Sequence, residues 1–357
     1  METKREYALD VLKIAGSLMI AIGHFQMCFP ADYRIRFFPA YGPLDYGYIV
    51  ELFFMLSGFF TCRYVRRIRD GLSFREFFLR RYLRLFPLMA VSAAGWFLLY
   101  FLLGIHRLGG MWAKWYPSLW NLAVTSLGVQ EGWGFANSYL NHPMWYLSVL
   151  IFCYLLFYLL VNASQRLRIS PYYLFGLMLV LGSGIRSYCI ELPFLNLAMA
   201  RGYCSFFGGV LLAAVLRGRR PGKLVLLLCA LDVAVITALI CKGYFDLVGD
   251  MEPVLTFLYF PAVILLFRSA AAARLFRSPV IGLLGKVSFN VFVWHMSGIL
   301  IVAALWSRGL VTLGARPMAE VGLFALCCYL FGFLSHFCIE KPCARLTDRL
   351  LQKLSQQ

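Results

Sequence analysis

The stretch DVLKIAGSLMIAIGHFQMCF, residues 10–29, has the length and apolar character of a membrane-spanning helix. It nevertheless contains two ionisable side chains, Lys13 and His24. At about 100° per residue, the step from position 13 to 24 completes about three turns, so both side chains leave the same helix face. At about 1.5 Å per residue they lie about 16 Å apart, with one near a membrane edge and the other deep. Because a deep ionisable group normally faces a bundle interior, a cavity or a partner, the pattern indicates a site inside a membrane bundle.

The rest of the chain has the same apolar character. Of its 357 residues, 61% are hydrophobic and 17% aromatic, and the mean hydropathy is +0.73. These values are typical of a polytopic membrane protein and exclude a soluble domain with one unusual helix. We predict an all-α, polytopic membrane helical bundle of about ten transmembrane helices, with one domain over residues 1–357 and no appended soluble domain. The predicted spans are residues 11–29, 47–62, 85–103, 144–161, 171–190, 202–216, 224–241, 253–267, 287–306 and 321–338.

The positive charge, 34 Lys and Arg against 17 Asp and Glu, is concentrated in every second connection. The connection between the second and third spans is rich in arginine, whereas KGYFDLVGDME carries one Lys and three acids. This alternation predicts that both termini are cytoplasmic and that residues 104–143 form a non-cytoplasmic cap. The arginines at positions 63–69 are interpreted as orientation signals, and no nucleic acid partner is expected.

Several motifs of soluble enzymes are missing from the sequence. The eleven cysteines form no CxxC pair, and there is no P-loop, dinucleotide fingerprint or HExxH. No metal is therefore expected, and any chemistry belongs to the membrane bundle.

His24 and Lys13 each allow two interpretations. Lys13 can be a residue that snorkels to the cytoplasmic edge, and His24 can be an interhelical hydrogen-bonding residue. Alternatively, His24 is a general base, since a neutral imidazole at depth can take a hydroxyl proton near physiological pH. Spacing alone leaves both open.

The second span contains ELFFMLSGFF, with Glu51 near its outer end and Ser57–Gly58 in its cytoplasmic half. The small residues permit close helix packing, and the serine offers a donor in an apolar helix. Packing and substrate contact are both compatible with this signal.

The segment FLRRYLRLFP places Arg81 and Arg84 three residues apart on one predicted helical face, where the third span enters the membrane. Guanidinium groups bind phosphate in a bidentate manner, so the pair could hold an anionic cofactor. Because hydrophobic helix follows directly, we favour this interpretation over plain orientation charge.

The ninth span carries a second deep histidine, His295, in LLGKVSFNVFVWHMSG. Core hydrogen bonding and a functional role both remain open for it. The polar residues that precede it are Lys286, Ser288 and Asn290, and the histidines interpreted as structural or incidental are His106, His142 and His336.

These segments follow one another in an order that resembles the acyltransferase-3 family of integral membrane acyltransferases along nearly the whole chain. LDVLKIAGSLMIAIGHF is similar to the family's opening motif, ELFFMLSGFF to its FFxxSG motif, and RYLRLFP to its RxxR element before a proline. PMWYLSVLIFCYLL resembles the aromatic fourth-region motif, LLGKVSFNVFVWH the late Gly–Ser–Phe…His segment, and IEKPCARL the closing Glu–x–Pro. One departure is Leu150, where many relatives carry a glutamate.

The resemblance implies transfer of an acyl group, most often acetyl, from cytoplasmic acyl-CoA to a hydroxyl of an extracytoplasmic or lipid-linked glycan. It implies a multi-pass protein of a bacterial plasma membrane, in contact with the lipid bilayer, and leaves open a homo-oligomer. It implies a catalytic His24, donor contacts from Lys13, Ser57, Arg81 and Arg84, and supporting or substrate contacts from Asp10, Glu51, Trp145, Tyr146 and His295.

One alternative from another class remains at this stage. In a secondary transporter or exporter, Lys13, His24 and Glu51 would form an ion or proton path. The absence of repeat symmetry in the sequence weighs mildly against it, and acyl-CoA binding would distinguish the two.

Overall fold

A computed structural model describes residues 5–29, 47–133, 140–244 and 251–355. In these ranges the regular structure is helical, apart from one isolated antiparallel bridge between Leu192 and Leu195. The helices are α1 (Tyr7–Cys28), α2 (Ile49–Thr61), α3 (Tyr64–Arg69), α4 (Arg80–Leu102), α5 (Gly110–Lys114), α6 (Leu119–Leu127), α7 (Trp145–Arg166), α8 (Pro171–Ser187), α9 (Leu197–Leu216), α10 (Lys223–Cys241), α11 (Met251–Phe267), α12 (Ala270–Leu275), α13 (Pro279–Ser307), α14 (Pro317–Ser335) and α15 (Lys341–Ser355).

Each of the ten predicted apolar segments is helical over most of its length, which confirms the all-α polytopic bundle. Within the described ranges, seven helices are long and apolar enough to cross a membrane, namely α1, α4, α7, α9, α10, α13 and α14. The other three segments form shorter helices. Helix α2, with 13 residues, extends for only about 20 Å against a hydrocarbon core of about 30 Å. Whether α2, α8 and α11 complete a crossing stays a prediction.

The basic connections gather at one end of the bundle. Gln165, at the end of α7, donates from Nε2 to the carbonyl oxygen of Arg69 on α3 at 3.1 Å. Arg268, after α11, lies 3.3 Å from Glu6 before α1 and above the ring of Phe59 on α2. These contacts join the ends of α1, α2, α3, α7 and α11, as the alternating charge pattern requires. We call this the basic end, and it carries Arg5, Arg63, Arg66, Arg69, Arg81, Arg217 and Arg268.

Helices α2 and α9 approach each other backbone to backbone. A β-carbon at Gly58 would collide with the carbonyl oxygen of Phe206, and one at Gly209 would collide with that of Met55. Because glycine lacks a β-carbon, the two helices can pack at this short separation. Helix packing therefore accounts for the glycine of the FFxxSG-like segment, and the serine beside it needs a separate explanation.

Helix α13 is the central element of the half of the bundle that contains α1, α4 and α14. Of its most apolar window 78% is buried, against 56% or less for the other six long helices. Its first turns pack closely on the start of α1, where a β-carbon at Gly285 would collide with the side chain of Asp10. This close approach holds the two helices together and brings their histidines within reach of each other.

Candidate active site

The two deep histidines of the sequence meet inside the bundle. His295 on α13 is fully buried, and its Nε2 lies 3.2 Å from Nδ1 of His24 on α1. The ring centroids are 5.0 Å apart. The structure thus brings together two residues that are 271 positions apart in the chain, both of which the sequence identified as candidates.

The surrounding carbonyl groups fix which nitrogen of each ring carries a proton. Nδ1 of His295 lies 2.7 Å from the carbonyl oxygen of Phe292, so it must be the N–H. Nδ1 of His24 lies 2.9 Å from the carbonyl oxygen of Ile20 and must also be an N–H. In the neutral rings, Nε2 of His295 then accepts a hydrogen bond from Nδ1–H of His24. This N–H is shared between two acceptors, Nε2 of His295 and the carbonyl oxygen of Ile20. The proton on Nδ1 leaves the lone pair of His24 on Nε2, the form that a general base requires.

A third histidine, His142, lies against this pair. Its ring centroid is 6.2 Å from that of His24, in an edge-to-face arrangement. His142 begins a short 3-10 turn, His142–Met144, before α7. The preceding Asn141 has a φ of 49°, a left-handed conformation that asparagine tolerates, and its Nδ2 donates to the carbonyl oxygen of Val293 on α13 at 3.1 Å. The interpretation of His142 as structural or incidental overlooked this turn, since its partner lies on another helix.

Across the part of the chain that the structure describes, no group of three or more His, Cys, Asp or Glu side chains is arranged to hold a metal ion. The contact that joins His24 and His295 is the hydrogen bond between their ring nitrogens.

A polar network holds α13 against α14 next to the histidine pair. Nε1 of Trp294 donates to Oγ of Ser335 at 2.8 Å, and Ser335 donates to Oδ1 of Asn290 at 2.7 Å. Asn290 in turn donates from Nδ2 to Oε2 of Glu340 at 2.6 Å. The same carboxylate oxygen lies 2.7 Å from Nδ1 of His336. The Glu–x–Pro segment at the end of the chain thus supports the helix that carries His295.

The remaining polar candidates lie outside this network. Lys286 is exposed, Ser288 donates to the carbonyl oxygen of Gly285, and His106 packs against Tyr100 and Phe101.

Ser57 and Tyr146 are also brought together. Their hydroxyl oxygens are 3.3 Å apart, and Ser57 also hydrogen-bonds to Tyr154, about two turns further along α7. On its other side, the ring of Tyr146 lies 5.5 Å from that of Phe292, which is 6.1 Å from the ring of His295. The serine of the FFxxSG-like segment therefore belongs to a row of polar and aromatic groups that leads to the histidines.

Arg81 and Arg84 have different environments, although they are three residues apart. Arg81 is partly buried, donates from Nη1 to the carbonyl oxygen of Phe77 at 2.9 Å, and lies 4.1 Å above the ring of Tyr64. Its Cζ is also 5.3 Å from the ring centroid of Tyr154. Arg84 is exposed. The structure therefore connects Arg81, more closely than Arg84, to the residues that lead to His24.

Lys13 and Asp10 form an ion-pair cluster at the basic end. Nζ of Lys13 lies 3.0 Å from Oδ1 of Asp10, and Nε of Arg5 lies 2.6 Å from Oδ2. Lys13 also lies 5.0 Å above the ring of Phe60 on α2. Because Lys13 and His24 share α1, they remain about 16 Å apart along the axis, and the lysine cannot touch the reacting atoms at His24.

Glu51 and Trp145 meet at an arginine that the sequence did not single out. The buried carboxylate of Glu51 pairs with Arg201 on α9 through both oxygens. The same guanidinium donates to the carbonyl oxygen of Gly47 and lies 4.8 Å above the ring of Trp145. No periodic signal marked Arg201, since it directly precedes the predicted apolar span 202–216 and its partner is 150 residues away in the chain.

The non-basic end also holds a carboxyl group near the aromatic motif of α7. Leu150, which departs from the family pattern, is buried and apolar. Ser148 donates from Oγ to the carbonyl oxygen of Glu131 at 3.2 Å. Burial and the nearby Glu191 raise the pKa of the Glu131 carboxyl. Glu131 is therefore an acidic group at this end of the bundle that the sequence did not single out.

The fold is a multi-pass helical membrane bundle with a hydrogen-bonded pair of histidines in its interior. Ionisable residues inside such a bundle are a feature of membrane proteins that carry a functional site there. The comparison with known families gives the particular group. The acyltransferase-3 family, described as an acyltransferase domain, matches residues 6–338. The chain therefore belongs to this family and is a membrane acyltransferase, which confirms the resemblance. Neither a curated protein nor a solved structure matches the chain.

Proposed function

We propose that the protein transfers an acyl group, most often acetyl, from cytoplasmic acyl-CoA to a hydroxyl of an extracytoplasmic or lipid-linked glycan. The acceptor approaches from the non-basic end and the donor from the basic end, which the charge pattern assigns to the cytoplasm. The protein works in a bacterial plasma membrane, with the lipid bilayer as its surroundings.

One observation carries this proposal, namely a continuous row of side-chain contacts from the basic end to His24. It runs from Arg81 through Tyr154, Ser57, Tyr146, Phe292 and His295 to His24. A donor with phosphates at one end and a thioester at the end of a narrow arm matches this order of groups. The guanidinium would hold phosphate, and the aromatic side chains would pack along the arm.

The chemistry at His24 follows from its tautomer. Nε2 takes the proton of the acceptor hydroxyl while the hydroxyl oxygen attacks the thioester carbonyl carbon. The carbon–sulfur bond then breaks, the ester remains on the acceptor, and the thiolate takes up the proton from His24. The hydroxyls of Ser57 and Tyr146 are donors available to the oxyanion, and the surrounding apolar helices exclude water.

The experiment compares His24→Asn with the unaltered protein. An asparagine amide can still donate to Ile20 and His295 from the position of Nδ1, whereas it has no basic nitrogen at the position of Nε2. We expect acyl transfer to fall by about 10²–10⁴-fold, as is typical of a lost general base. Acyl-CoA binding and thermal unfolding should stay close to those of the unaltered protein.

A matched control is His106→Asn, which changes a histidine outside the cluster and should transfer normally. His24→Gln serves as a second test, because a glutamine that transfers at the unaltered rate would show that hydrogen bonding alone is needed. Either that result or a near-normal rate for His24→Asn would remove the assignment of the base.

A further inference from the structure

A cleft of about 780 Å³ opens at the basic end, outside the row of contacts that leads to the histidines. This volume lies within the range of about 300–1,000 Å³ found for small-molecule sites. Four guanidinium groups and one carboxylate are among the described residues that line it. The lining residues are Cys62, Arg63, Val65, Arg66, Arg69, Asp70, Gln165, Tyr172 and Arg217.

The helices around the cleft fix the backbone positions of its arginines, and the exposed side chain of Arg66 pairs with Asp70 at 3.6 Å. Val65 and Ile68 are the buried residues of α3, so the other face of this short helix carries its arginines. The backbone of Arg69 is fixed by the hydrogen bond from Gln165 on α7. Arg217 caps the end of α9 with a φ of 47°. Two separate helices, α3 and α9, thus direct positive charge into one opening, which is the electrostatic condition for binding a phosphate.

The cleft is connected to the donor end of the proposed site through Tyr64. The guanidinium of Arg63, which lines the cleft, lies 5.1 Å from the ring centroid of Tyr64, and that of Arg81 lies 4.1 Å from it. Both arginines also hydrogen-bond to the Tyr64 side chain. Burial opposes ionisation of this hydroxyl, yet the guanidinium groups of Arg81 and Arg63 lower its pKa overall.

The order of these groups matches the order of charges in the donor. Along the chain of contacts, the histidine pair comes first, then Ser57 and the tyrosines of α7, then Arg81, and finally the cleft. In coenzyme A, the thioester is followed by the pantetheine arm, the pyrophosphate, and a ribose that carries a separate phosphomonoester. If the pyrophosphate lies at Arg81, the phosphomonoester would reach the arginines of the cleft, which are the outermost positive charges in this order.

We infer that the cleft bounded by Arg63, Arg66, Arg69 and Arg217 is a phosphomonoester site that takes the ribose 3′-phosphate of the acyl-CoA donor. The inference rests on the proposed function and extends it, because it assigns a specific role to arginines that the sequence marked only as orientation charges. A phosphomonoester carries up to two negative charges near neutral pH and accepts several guanidinium hydrogen bonds. The exposed ring of Tyr172 at the edge of the cleft offers a surface on which the adenine can stack.

The test measures the affinity of the purified, full-length protein for coenzyme A and for dephospho-coenzyme A, which lacks only the 3′-phosphate. The unaltered protein should bind coenzyme A at least tenfold more tightly. Arg66→Gln and Arg217→Gln should each reduce this preference to less than threefold while changing the affinity for dephospho-coenzyme A by less than twofold. Arg81→Gln should weaken the binding of both ligands and preserve much of the preference. Arg166→Gln is the matched control, since Arg166 is exposed at the end of α7 beside Gln165 and does not line the cleft.

The outcomes separate this inference from the proposed function. If the unaltered protein binds both ligands equally, or if Arg166→Gln acts like Arg66→Gln, the phosphomonoester site is refuted and a coenzyme A donor still stands. If it binds neither ligand, the proposed donor and the site both fail. An anionic lipid headgroup has the same phosphate chemistry, so phosphatidylglycerol retained by each variant is measured by native mass spectrometry. Variants that lose this lipid but keep the preference for coenzyme A would assign the cleft to lipid and overturn the inference.

Discussion

The hydrogen bond between the two histidines leads to a prediction that separates positioning from catalysis. His295 accepts the Nδ1–H of His24 and so favours the tautomer with a lone pair on Nε2. Replacing it by leucine, His295→Leu, introduces an apolar side chain of comparable size and removes the acceptor. His295→Gln restores an oxygen near the position of Nε2 and should restore the hydrogen bond.

The structure limits the size of the effect. Nδ1 of His24 has two acceptors, the carbonyl oxygen of Ile20 at 2.9 Å and Nε2 of His295 at 3.2 Å. The variant removes only the longer of these bonds, and one hydrogen bond contributes about 0.5–1.5 kcal/mol net. With about 1.4 kcal/mol per factor of ten, the catalytic rate constant of His295→Leu should fall by about two- to tenfold. That loss is far smaller than the about 10²–10⁴-fold expected for removing the base itself.

The assay combines kinetics with a direct measurement of the tautomer. Acyl transfer is measured for the unaltered protein, His295→Leu, His295→Gln and His24→Asn, each checked for folding by thermal unfolding. The ¹⁵N chemical shifts of His24 in protein labelled at histidine report which ring nitrogen carries the proton. In His295→Leu the population protonated at Nε2 should rise, and in His295→Gln it should return towards that of the unaltered protein.

Three results would refute the reasoning. A His295→Leu protein that loses as much activity as His24→Asn would make His295 a reacting group. If His295→Leu loses activity while the ¹⁵N shifts of His24 stay unchanged, the role of His295 would be packing and not control of the tautomer. A folded His295→Gln protein that is as impaired as His295→Leu would show that the acceptor atom is not what matters.

Two further predictions concern the ends of the bundle. Arg81→Ala should weaken acyl-CoA binding by at least tenfold, since a charge-assisted hydrogen bond contributes about 1.5–3 kcal/mol. Arg84→Ala, at the exposed position three residues on, should weaken binding less. Titration of both purified variants with acyl-CoA checks this order, and equal losses of affinity would contradict it. Glu51→Gln should lower the thermal stability strongly, because breaking a buried ion pair costs about 3–5 kcal/mol. In the double variant Glu51→Gln/Arg201→Gln, the loss of stability should be smaller than the sum of the losses in the two single variants. Strictly additive losses would argue against the ion pair.

Much of the site was predictable from local sequence. The spacing of Lys13 and His24 fixed their common helix face, and the position of Arg81 at the start of an apolar helix indicated its place at the basic end. Both inferences rest on helical periodicity and on the cost of charge in lipid, which act on residues close together in the chain. The same reasoning predicted Gly58 as a packing residue or a contact residue, and the collision with Phe206 decides for packing.

Other residues could not be assigned, because their roles depend on partners that are distant in the chain. His142 joins the histidine pair only because Asn141 turns the backbone and hydrogen-bonds to α13. Arg201 becomes the partner of Glu51 only when α9 packs on α2. A signal for His142 was present nevertheless, since it directly precedes PMWYLS, the segment that carried the resemblance in the fourth region.

The separation of roles along the bundle follows from what a membrane allows. A lysine or carboxylate at depth is costly unless it is paired, and the structure pairs Lys13 with Asp10 and Glu51 with Arg201. A neutral imidazole has a much smaller cost of burial and can satisfy its N–H with a helix carbonyl, as His24 and His295 both do. The phosphates of a donor must stay where cations can meet them near water, so binding and proton transfer have to occur at different depths. Under the proposed function, the row of hydroxyl and aromatic groups between Arg81 and His295 would therefore allow one substrate to engage both.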